Sequence, residues 1–180
     1  IIGLILLEKK EHAISSGFKY LVASGIISGL LLIGIIAVYY YSESLFINDI
    51  IASKLVLMKG GSVAAFLILI ALVLELKPFP ANGWALDVYE SAHPGVGAIV
   101  SGASATAGVF ILFKLLPAFS DSAYQIIAII GTLTFVGSNL LGIKQEKATR
   151  LLGYSSIGQI GLVMAIIGLT PYLGNKAGNI

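Results

Sequence analysis

A glutamate and a lysine at the end of a long apolar run are the residues best suited to do chemistry. Glu75 lies near the end of the apolar run 60–76, and Lys77 follows two residues later. Pro78 and Pro80 remove two backbone donors and force a break or a kink in a helix. Because desolvation favours the protonated form of a carboxyl and a nearby cation favours the ionised form, this glutamate could load and release a proton.

A second interpretation of the same two residues is purely structural. Glu75 and Lys77 would mark the interfacial end of a transmembrane helix, with side chains that reach up to water. Residues two apart on a helix do not face each other, so the two could pair only if the proline break unwinds the turn. The sequence leaves the proton site and the interfacial anchor as open alternatives.

Three further residues are candidates for a proton or ion path. Lys19 lies one residue inside the apolar run 18–41, where it either anchors the helix end or takes part in the path. Ser101 and Ser104 lie in a later run, and such hydroxyls either support a chain of water or hydrogen-bond neighbouring helices. The sequence has no metal-ligand spacing, phosphate-binding loop or catalytic triad, so it predicts no metal site, no cofactor and no covalent catalysis.

Two acidic residues lie in the connector that follows the prolines. Asp87 and Glu90 are three apart, so they share one face if residues 84–90 are helical. The favoured interpretation is a polar face at the membrane interface, beside the aromatic anchors Trp84 and Tyr89.

The composition indicates the environment in which these residues work. Of 180 residues, 57% are hydrophobic and 11% are charged, whereas a water-soluble domain carries about 25% charged residues. The expected solvent is therefore lipid. The chain has no cysteine, which excludes thiolate zinc sites and iron–sulfur ligation, so redox cofactors would have to lie in partner subunits. The basic residues are scattered along the chain, which argues against nucleic acid as a partner.

Apolar runs of spanning length organise residues 1–180 as a single transmembrane domain. A spanning helix needs about 20 apolar residues, and the runs lack the alternating pattern of a membrane β-barrel. Helices then satisfy every backbone polar group in hydrocarbon. The predicted fold class is an all-α, polytopic transmembrane helix bundle, with a partial helix at 1–7 and spans at about 18–41, 60–80, 94–116, 123–143 and 151–169.

Small residues that recur four apart predict close packing between these helices. Where no hydrophobic effect drives association, small side chains let helix backbones approach each other. The pairs are Ser24/Ser28, Gly25/Gly29, Ala103/Ala107 and Ser104/Gly108.

The connectors predict an orientation in the membrane. Alternating spans place the connectors 8–17, 81–93 and 144–150 on one side, and the basic residues on that side, with Lys77 at its edge, number six against four on the other. The bias favours this side as cytoplasmic. We expect an integral protein of a prokaryotic cytoplasmic membrane or of a bioenergetic organelle membrane.

Three stretches carry a resemblance to a known family: residues 12–24 (HAISSGFKYLVAS), 80–96 (PANGWALDVYESAHPGV) and 139–158 (NLLGIKQEKATRLLGYSSIG). The strings Trp-x-x-Asp-Val-Tyr and Arg-Leu-Leu-Gly-Tyr-Ser-Ser fall on the same connectors as in that family. The chain resembles the antiporter-like membrane subunits of complex I (NADH–quinone oxidoreductase), most closely those of the subunit N type. It is also similar to their relatives in membrane-bound hydrogenases and in multisubunit cation/proton antiporters.

The resemblance implies a fold of about fourteen helices with inverted repeats and broken helices. This chain would be a fragment that runs from the end of the fifth helix to the tenth, with the seventh helix broken near Pro78 and Pro80. Lys19 would be a charge partner in the proton path. Glu75 occupies the position of a path lysine, with Lys77 two residues on, and the matching part of the eighth helix, 101–105, has no ionisable group.

The function implied by the resemblance is that of a proton-translocating, antiporter-like membrane subunit of a redox-driven respiratory complex. That complex would be of the NADH–quinone oxidoreductase or membrane-bound hydrogenase type, and its flavin or iron–sulfur clusters would lie in partner subunits. Two alternatives remain. The chain could belong to a secondary cation/proton antiporter, or it could be a structural membrane subunit with a degenerate channel.

Overall fold

The computed structural model describes Ile5 and residues 11–177, and all regular structure in this part of the chain is helical. The expected all-α fold is therefore confirmed. The predicted partial helix at 1–7 lies outside the described residues, apart from Ile5. The α-helices are α1 (Glu11–Ser42), α2 (Ile47–Ala52), α3 (Gly61–Glu75), α4 (Gly83–Ser91), α5 (Pro94–Ile99), α6 (Ala105–Leu115), α7 (Asp121–Gly142) and α8 (Ala148–Ala177).

Short non-α turns link some of these helices. A π-helical turn, Val100–Ser104, joins α5 to α6, and 3-10 turns lie at Leu55–Leu57 and Leu116–Ala118. His93 caps the start of α5, because its Nδ1 accepts a hydrogen bond from the Gly95 N–H at 3.2 Å.

Four helices are long and apolar enough to cross a membrane: His12–Ser42, Pro94–Ala118, Asp121–Gly142 and Ala148–Leu173. The chain is an integral membrane protein. The segment 60–80, expected as one span, is helical only over Gly61–Glu75. Fifteen helical residues extend about 22 Å, which is less than the roughly 30 Å of the hydrocarbon core. The chain thus leaves the α3 helix before it has completed a full span.

The buried side chains form two hydrophobic clusters. The larger one joins α3 to α6, α7 and α8, with Ile68, Leu72, Leu112 and Ile127 among its members. The smaller one packs α4 and α5 against α8 through residues such as Val88 and Ile157. The segment between α3 and α4 leads from Leu76, in the larger cluster, to Ala85, in the smaller one.

Helices α7 and α8 approach each other closely along their backbones. They run antiparallel, and a Cβ atom added at Gly131, Gly161 or Gly168 would lie within 2.6 Å of a backbone nitrogen on the opposite helix. The expected close approach at Gly25 and Gly29 does not occur within the described part of the chain, where nothing lies within 4 Å of a Cβ at either residue. These two glycines lie on a face of α1 that points away from the described core.

The α7–α8 contact gives a stability prediction. In the full-length protein, we expect Gly161→Ala to lower the midpoint of thermal unfolding, because the added methyl would lie 2.6 Å from the Phe135 nitrogen. Overpacking of this kind costs about 1–3 kcal/mol. The matched control is Gly25→Ala, which has open space and gains up to about 1 kcal/mol of helix propensity, so its midpoint should stay level or rise. Equal midpoints for Gly161→Ala and the unmodified protein would contradict this packing.

Candidate functional site

The predicted proline break is present and lies between α3 and α4. We call residues 76–82 the break segment. Its backbone leaves the helix at Leu76, and Lys77 takes a left-handed conformation with φ of 58°. The peptide bond between Phe79 and Pro80 is cis. Pro78 and Pro80 thus stop the helix as the sequence predicts, since neither has an N–H to donate.

Helix α7 provides a hydrogen-bond partner for the break segment. The Phe79 N–H donates to Thr134 Oγ1 at 3.1 Å, and that hydroxyl donates in turn to the Ile130 carbonyl at 2.7 Å. Thr134 is fully buried. The Phe79 ring lies against Gly137, where a Cβ would come within 2.9 Å of it. Non-helical backbone in a membrane protein needs such cover, because hydrocarbon offers no hydrogen bonds.

Lys77 is the largest fully buried side chain among the described residues. Its Nζ donates to the Val100 carbonyl at 3.4 Å, and it lies 6.0 Å from the centroid of the Trp84 ring. This is the outer limit for a cation–π contact. The lysine does not snorkel to water, so the interfacial-anchor interpretation is wrong for this residue.

Glu75 binds the same helix as Lys77, one turn further along. Its Oε1 accepts a hydrogen bond of 2.8 Å from Ser104 Oγ. Val100 is the first residue of the π-helical turn and Ser104 the last, so the lysine and the glutamate bind its two ends. The structure has no direct ion pair between Glu75 and Lys77. The prolines therefore separate the two charges onto different hydrogen-bond partners.

The Ser104 hydroxyl suits either protonation state of Glu75. A serine hydroxyl has one donor and two acceptor positions and can rotate. It donates to the carboxylate in the present geometry, and it could accept a hydrogen bond from the protonated acid. A direct lysine partner would instead favour the ionised form alone. The Glu75 carboxyl therefore keeps a hydrogen-bond partner in either protonation state.

Ser101 does not join this pair. Its hydroxyl donates to the Ala98 carbonyl at 3.2 Å, and the residue lies on the side of the helix that faces α8. Two cavities meet at Ser101. One of about 340 Å³ is also lined by Tyr89 and Thr149, and one of about 370 Å³ is also lined by Thr106 and Gln159.

Lys19 is also separate from Glu75 and Lys77. Its Nζ lies 2.6 Å from Asp87 Oδ2, in a group of charged residues that we call the ionic cluster. Arg150 Nη1 contacts Glu90 Oε2 at 2.6 Å and Asp87 Oδ1 at 3.3 Å, and Lys147 pairs with Glu90. The cluster borders a cavity of about 360 Å³ and consists of Lys19, Asp87, Glu90, Lys147 and Arg150.

Sequence reasoning found part of this cluster. Asp87 and Glu90 were expected on one helical face, and both do contact Arg150. The basic partners were missed, since Lys147 and Arg150 lie about 60 residues away in the chain. One signal could have indicated these partners: the connectors 81–93 and 144–150 are predicted to lie on the same side of the membrane. Tyr89, expected as an interfacial anchor, is instead buried.

The ionic cluster changes the acidity of Glu90. Hydrogen bonds from Lys147 and then Arg150 hold the pKa of Glu90 below its ordinary value of 4.5. The carboxylate is therefore the stable form of Glu90, and it ties α4 to the start of α8. The contact thereby holds α4, the helix that follows the break segment, against α8.

Comparison with known proteins identifies the family. The family described as NADH:quinone oxidoreductase/Mrp antiporter, transmembrane, matches residues 1–178. The chain belongs to this family. The resemblance stated from the sequence is confirmed, including its subunit N type. NADH-quinone oxidoreductase subunit N of Acinetobacter baumannii is 31% identical over an alignment 169 residues long, which covers 90% of this chain and 34% of that protein.

Other proteins and solved structures are similar to this chain. NAD(P)H-quinone oxidoreductase subunit 5 of Lemna minor chloroplasts is 30% identical over 79% of this chain and 20% of its own length. Among solved structures, the membrane-bound sulfane sulfur reductase, an archaeal respiratory membrane complex, matches with a TM-score of 0.76 and 27% identity over 93% of this chain and 36% of that one. The Mrp complex of Dietzia sp. DQ12-45-1b shares the fold, with a TM-score of 0.83, 18% identity and coverage of 93% and 33%. The chain spans about a third of the length of the Acinetobacter relative and of both solved structures.

Glu90 gives the ionic cluster a defined pH dependence. Because its pKa is lowered on folding, its stabilising effect is fully present above the ordinary value of 4.5 and is lost as the pH falls through the lowered value. We expect the midpoint of thermal unfolding of the full-length protein to fall on acidification, and Glu90→Gln to lack this part of the fall. The control is Glu146→Gln, at an exposed residue of the adjacent loop, which should follow the unmodified protein. An acid profile for Glu90→Gln that matches the unmodified protein would rule out this role.

Proposed function

We propose that this chain is part of a proton-translocating, antiporter-like membrane subunit of a redox-driven respiratory complex. In this proposal Glu75 takes up and releases the proton, and Lys77 supplies the buried positive charge that responds to it. The observation that carries the proposal is the binding of these two residues to opposite ends of one π-helical turn beside a helix break. Single π-helical turns within helices occur frequently at functional sites.

The difference in burial supports different roles for the two residues. Lys77 is fully enclosed, whereas Glu75 is only partly buried within the described chain. A proton can therefore reach the carboxyl more easily than the ammonium. Protonation of Glu75 removes a negative charge close to a buried positive one, and this raises the electrostatic cost of keeping Lys77 charged in place. Proton binding is thereby coupled to the position or charge of Lys77.

The outer parts of the path would involve Ser101 and Lys19. Ser101 lies where the two cavities along α8 meet, so it is placed to hold water on the side of the π-helical turn opposite α3. Lys19 forms part of the wall of the cavity at the ionic cluster. Residues from the connectors 8–17, 81–93 and 144–150 line that cavity together, and the excess of basic residues supports a cytoplasmic location for this end.

The electron chemistry would belong to partner subunits. Several relatives are named as subunits of NADH-quinone oxidoreductases, and one structural neighbour is an archaeal respiratory membrane complex. The chain itself has no cysteine to hold an iron–sulfur cluster. Flavin or iron–sulfur clusters in partner subunits would drive the proton movement through the membrane part.

A secondary cation/proton antiporter is the second candidate. It is favoured by the fold similarity to the Mrp complex of Dietzia. Mass spectrometry of the full-length protein, purified gently from its native membrane, separates the two. Co-purified flavin or iron–sulfur subunits support the redox complex, and a partner set without them supports the antiporter. A structural subunit with a degenerate channel would be favoured by the absence of an ionisable residue in the π-helical turn Val100–Ser104.

The role of Glu75 gives a direct functional prediction. In vesicles that contain the complete complex, we expect Glu75→Gln to lower proton translocation per electron by about tenfold or more, because the amide cannot exchange a proton. A pH-sensitive dye inside the vesicles measures the rate. The matched control is Glu43→Gln, at an exposed residue after α1, which should pump normally. Unchanged pumping by an assembled Glu75→Gln complex would show that the assigned role is wrong.

The buried Lys77 gives a prediction in which transport is lost but stability is not. We expect Lys77→Met to abolish proton translocation while thermal stability is kept or raised, since an apolar side chain in place of a buried charge is often neutral or stabilising. Lys54→Met is the control, because Lys54 also has a left-handed backbone, with φ of 50°, but is exposed. This control should keep full transport. Full transport by Lys77→Met would remove Lys77 from the path and favour a purely structural lysine.

A further inference from the structure

The left-handed backbone of Lys77 depends on contacts on both sides of it. With a φ of 58°, it has a conformation that residues other than glycine adopt at an energetic cost and keep only where their surroundings enforce it. Before it, the Lys77 N–H donates to the Leu74 carbonyl at 3.0 Å, which ties it to the end of α3. After it, Pro78 has no N–H to donate, so the next backbone donor is Phe79.

Thr134 takes the place of the helical acceptor for this donor. In a continuous helix the Phe79 N–H would donate to the Glu75 carbonyl, four residues earlier. Here it donates to Thr134 Oγ1 at 3.1 Å. The hydroxyl proton of Thr134 is engaged with the Ile130 carbonyl at 2.7 Å, so towards Phe79 the hydroxyl acts only as an acceptor. This bond holds the non-helical backbone two residues after Lys77.

Thr134 is itself held by its neighbours. The residue is fully buried, and a Cβ atom at Gly161 of α8 would lie 2.9 Å from Thr134 Cβ, so the two residues are in close contact. The ring of Phe79 lies against Gly137, one turn further along α7, where a Cβ would come within 2.9 Å of the ring. Thr134 therefore contacts both α8 and the break segment, and Phe79 contacts α7 through its backbone and its side chain.

We propose that Thr134 is a positioning residue for Lys77. The inference rests on the proposed function and adds a residue that sets where its buried charge lies. A shift of α7 and α8 against α3 moves the acceptor of the Phe79 N–H, and it moves the backbone of Lys77 with it. The distance between the Lys77 ammonium and the Glu75 carboxyl then changes, and with it their Coulomb energy. Thr134 thus influences proton exchange at Glu75 without handling the proton itself.

The test uses Thr134→Val in the full-length protein within its complex. Valine has nearly the shape of threonine and a similar helix propensity, but it cannot accept a hydrogen bond. We expect proton translocation per electron to fall by about tenfold, because the buried Phe79 N–H then has no acceptor. We also expect the pH profile of translocation to shift, since that profile reports the groups that exchange protons, whereas a loss of packing alone would lower the rate at every pH.

Two further variants of the same residue type serve as rescue and control. Thr134→Ser keeps the hydroxyl and should restore both the rate and the pH profile. The matched control is Thr132→Val on the same helix. Thr132 is exposed, and its hydroxyl likewise donates to the carbonyl four residues earlier, that of Ala128, at 2.8 Å. This control should pump normally with an unshifted profile.

A second substitution moves the break segment while the hydroxyl stays in place. Gly137→Ala adds a methyl against the Phe79 ring, so it should also lower translocation and shift its pH profile. An unshifted profile in the assembled Thr134→Val or Gly137→Ala complex, or a loss that Thr134→Ser does not restore, would overturn the positioning role. If Glu75→Gln still abolishes pumping in that case, the proposed function stands without Thr134. If Glu75→Gln also pumps normally, the proposed function itself fails.

Discussion

The proline break leaves polar groups without helical hydrogen-bond partners. The need to satisfy these groups within the protein is the constraint on which the rest of the site depends. Hydrocarbon cannot satisfy a free N–H or a buried ammonium, so each must find a partner within the protein. Thr134 accepts from the Phe79 N–H, and the Val100 carbonyl accepts from Lys77. The break thus requires α7 on one side and the π-helical turn on the other. The close glycine contacts between α7 and α8 then bring α8 into the same assembly.

The same constraint explains how Glu75 and Lys77 can lie in this region without forming a direct ion pair. A direct Glu75–Lys77 pair would stabilise both ionised forms and oppose proton exchange. The left-handed backbone at Lys77 turns its side chain towards Val100, whereas Glu75, still on α3, faces Ser104. Each charge therefore has a neutral partner. In the proposed function, a change of charge at Glu75 acts on Lys77 through the electrostatic field and through the π-helical turn that both residues bind.

Sequence reasoning reached the helices, the break and the two central residues, because these depend on local properties. Hydropathy and length predict spanning helices, and prolines two apart predict the break. The partners of those residues depend on the tertiary structure and were not predictable from one sequence. Nothing local indicates that Ser104 rather than Ser101 meets Glu75, or that residues 100–104 form a π-helical turn. The contacts of Lys19 and Arg150 with Asp87 join residues more than 60 positions apart. The glycine pairs show the same limit, since the four-residue spacing at Gly25/Gly29 is as clear as any other, yet the close approach lies at Gly131 and Gly161.

The central claim is that Glu75 changes its protonation state during turnover. Infrared difference spectroscopy of the complete complex, resting against turning over, tests it most directly, because a protonated carboxyl has a C=O stretching band separate from that of a carboxylate. The account predicts a carboxyl band that changes on turnover, is absent in Glu75→Gln and shifts in Ser104→Ala as its hydrogen bond is lost. A difference spectrum that is identical in the unmodified and Glu75→Gln complexes would contradict the account, since the proton would then be carried elsewhere.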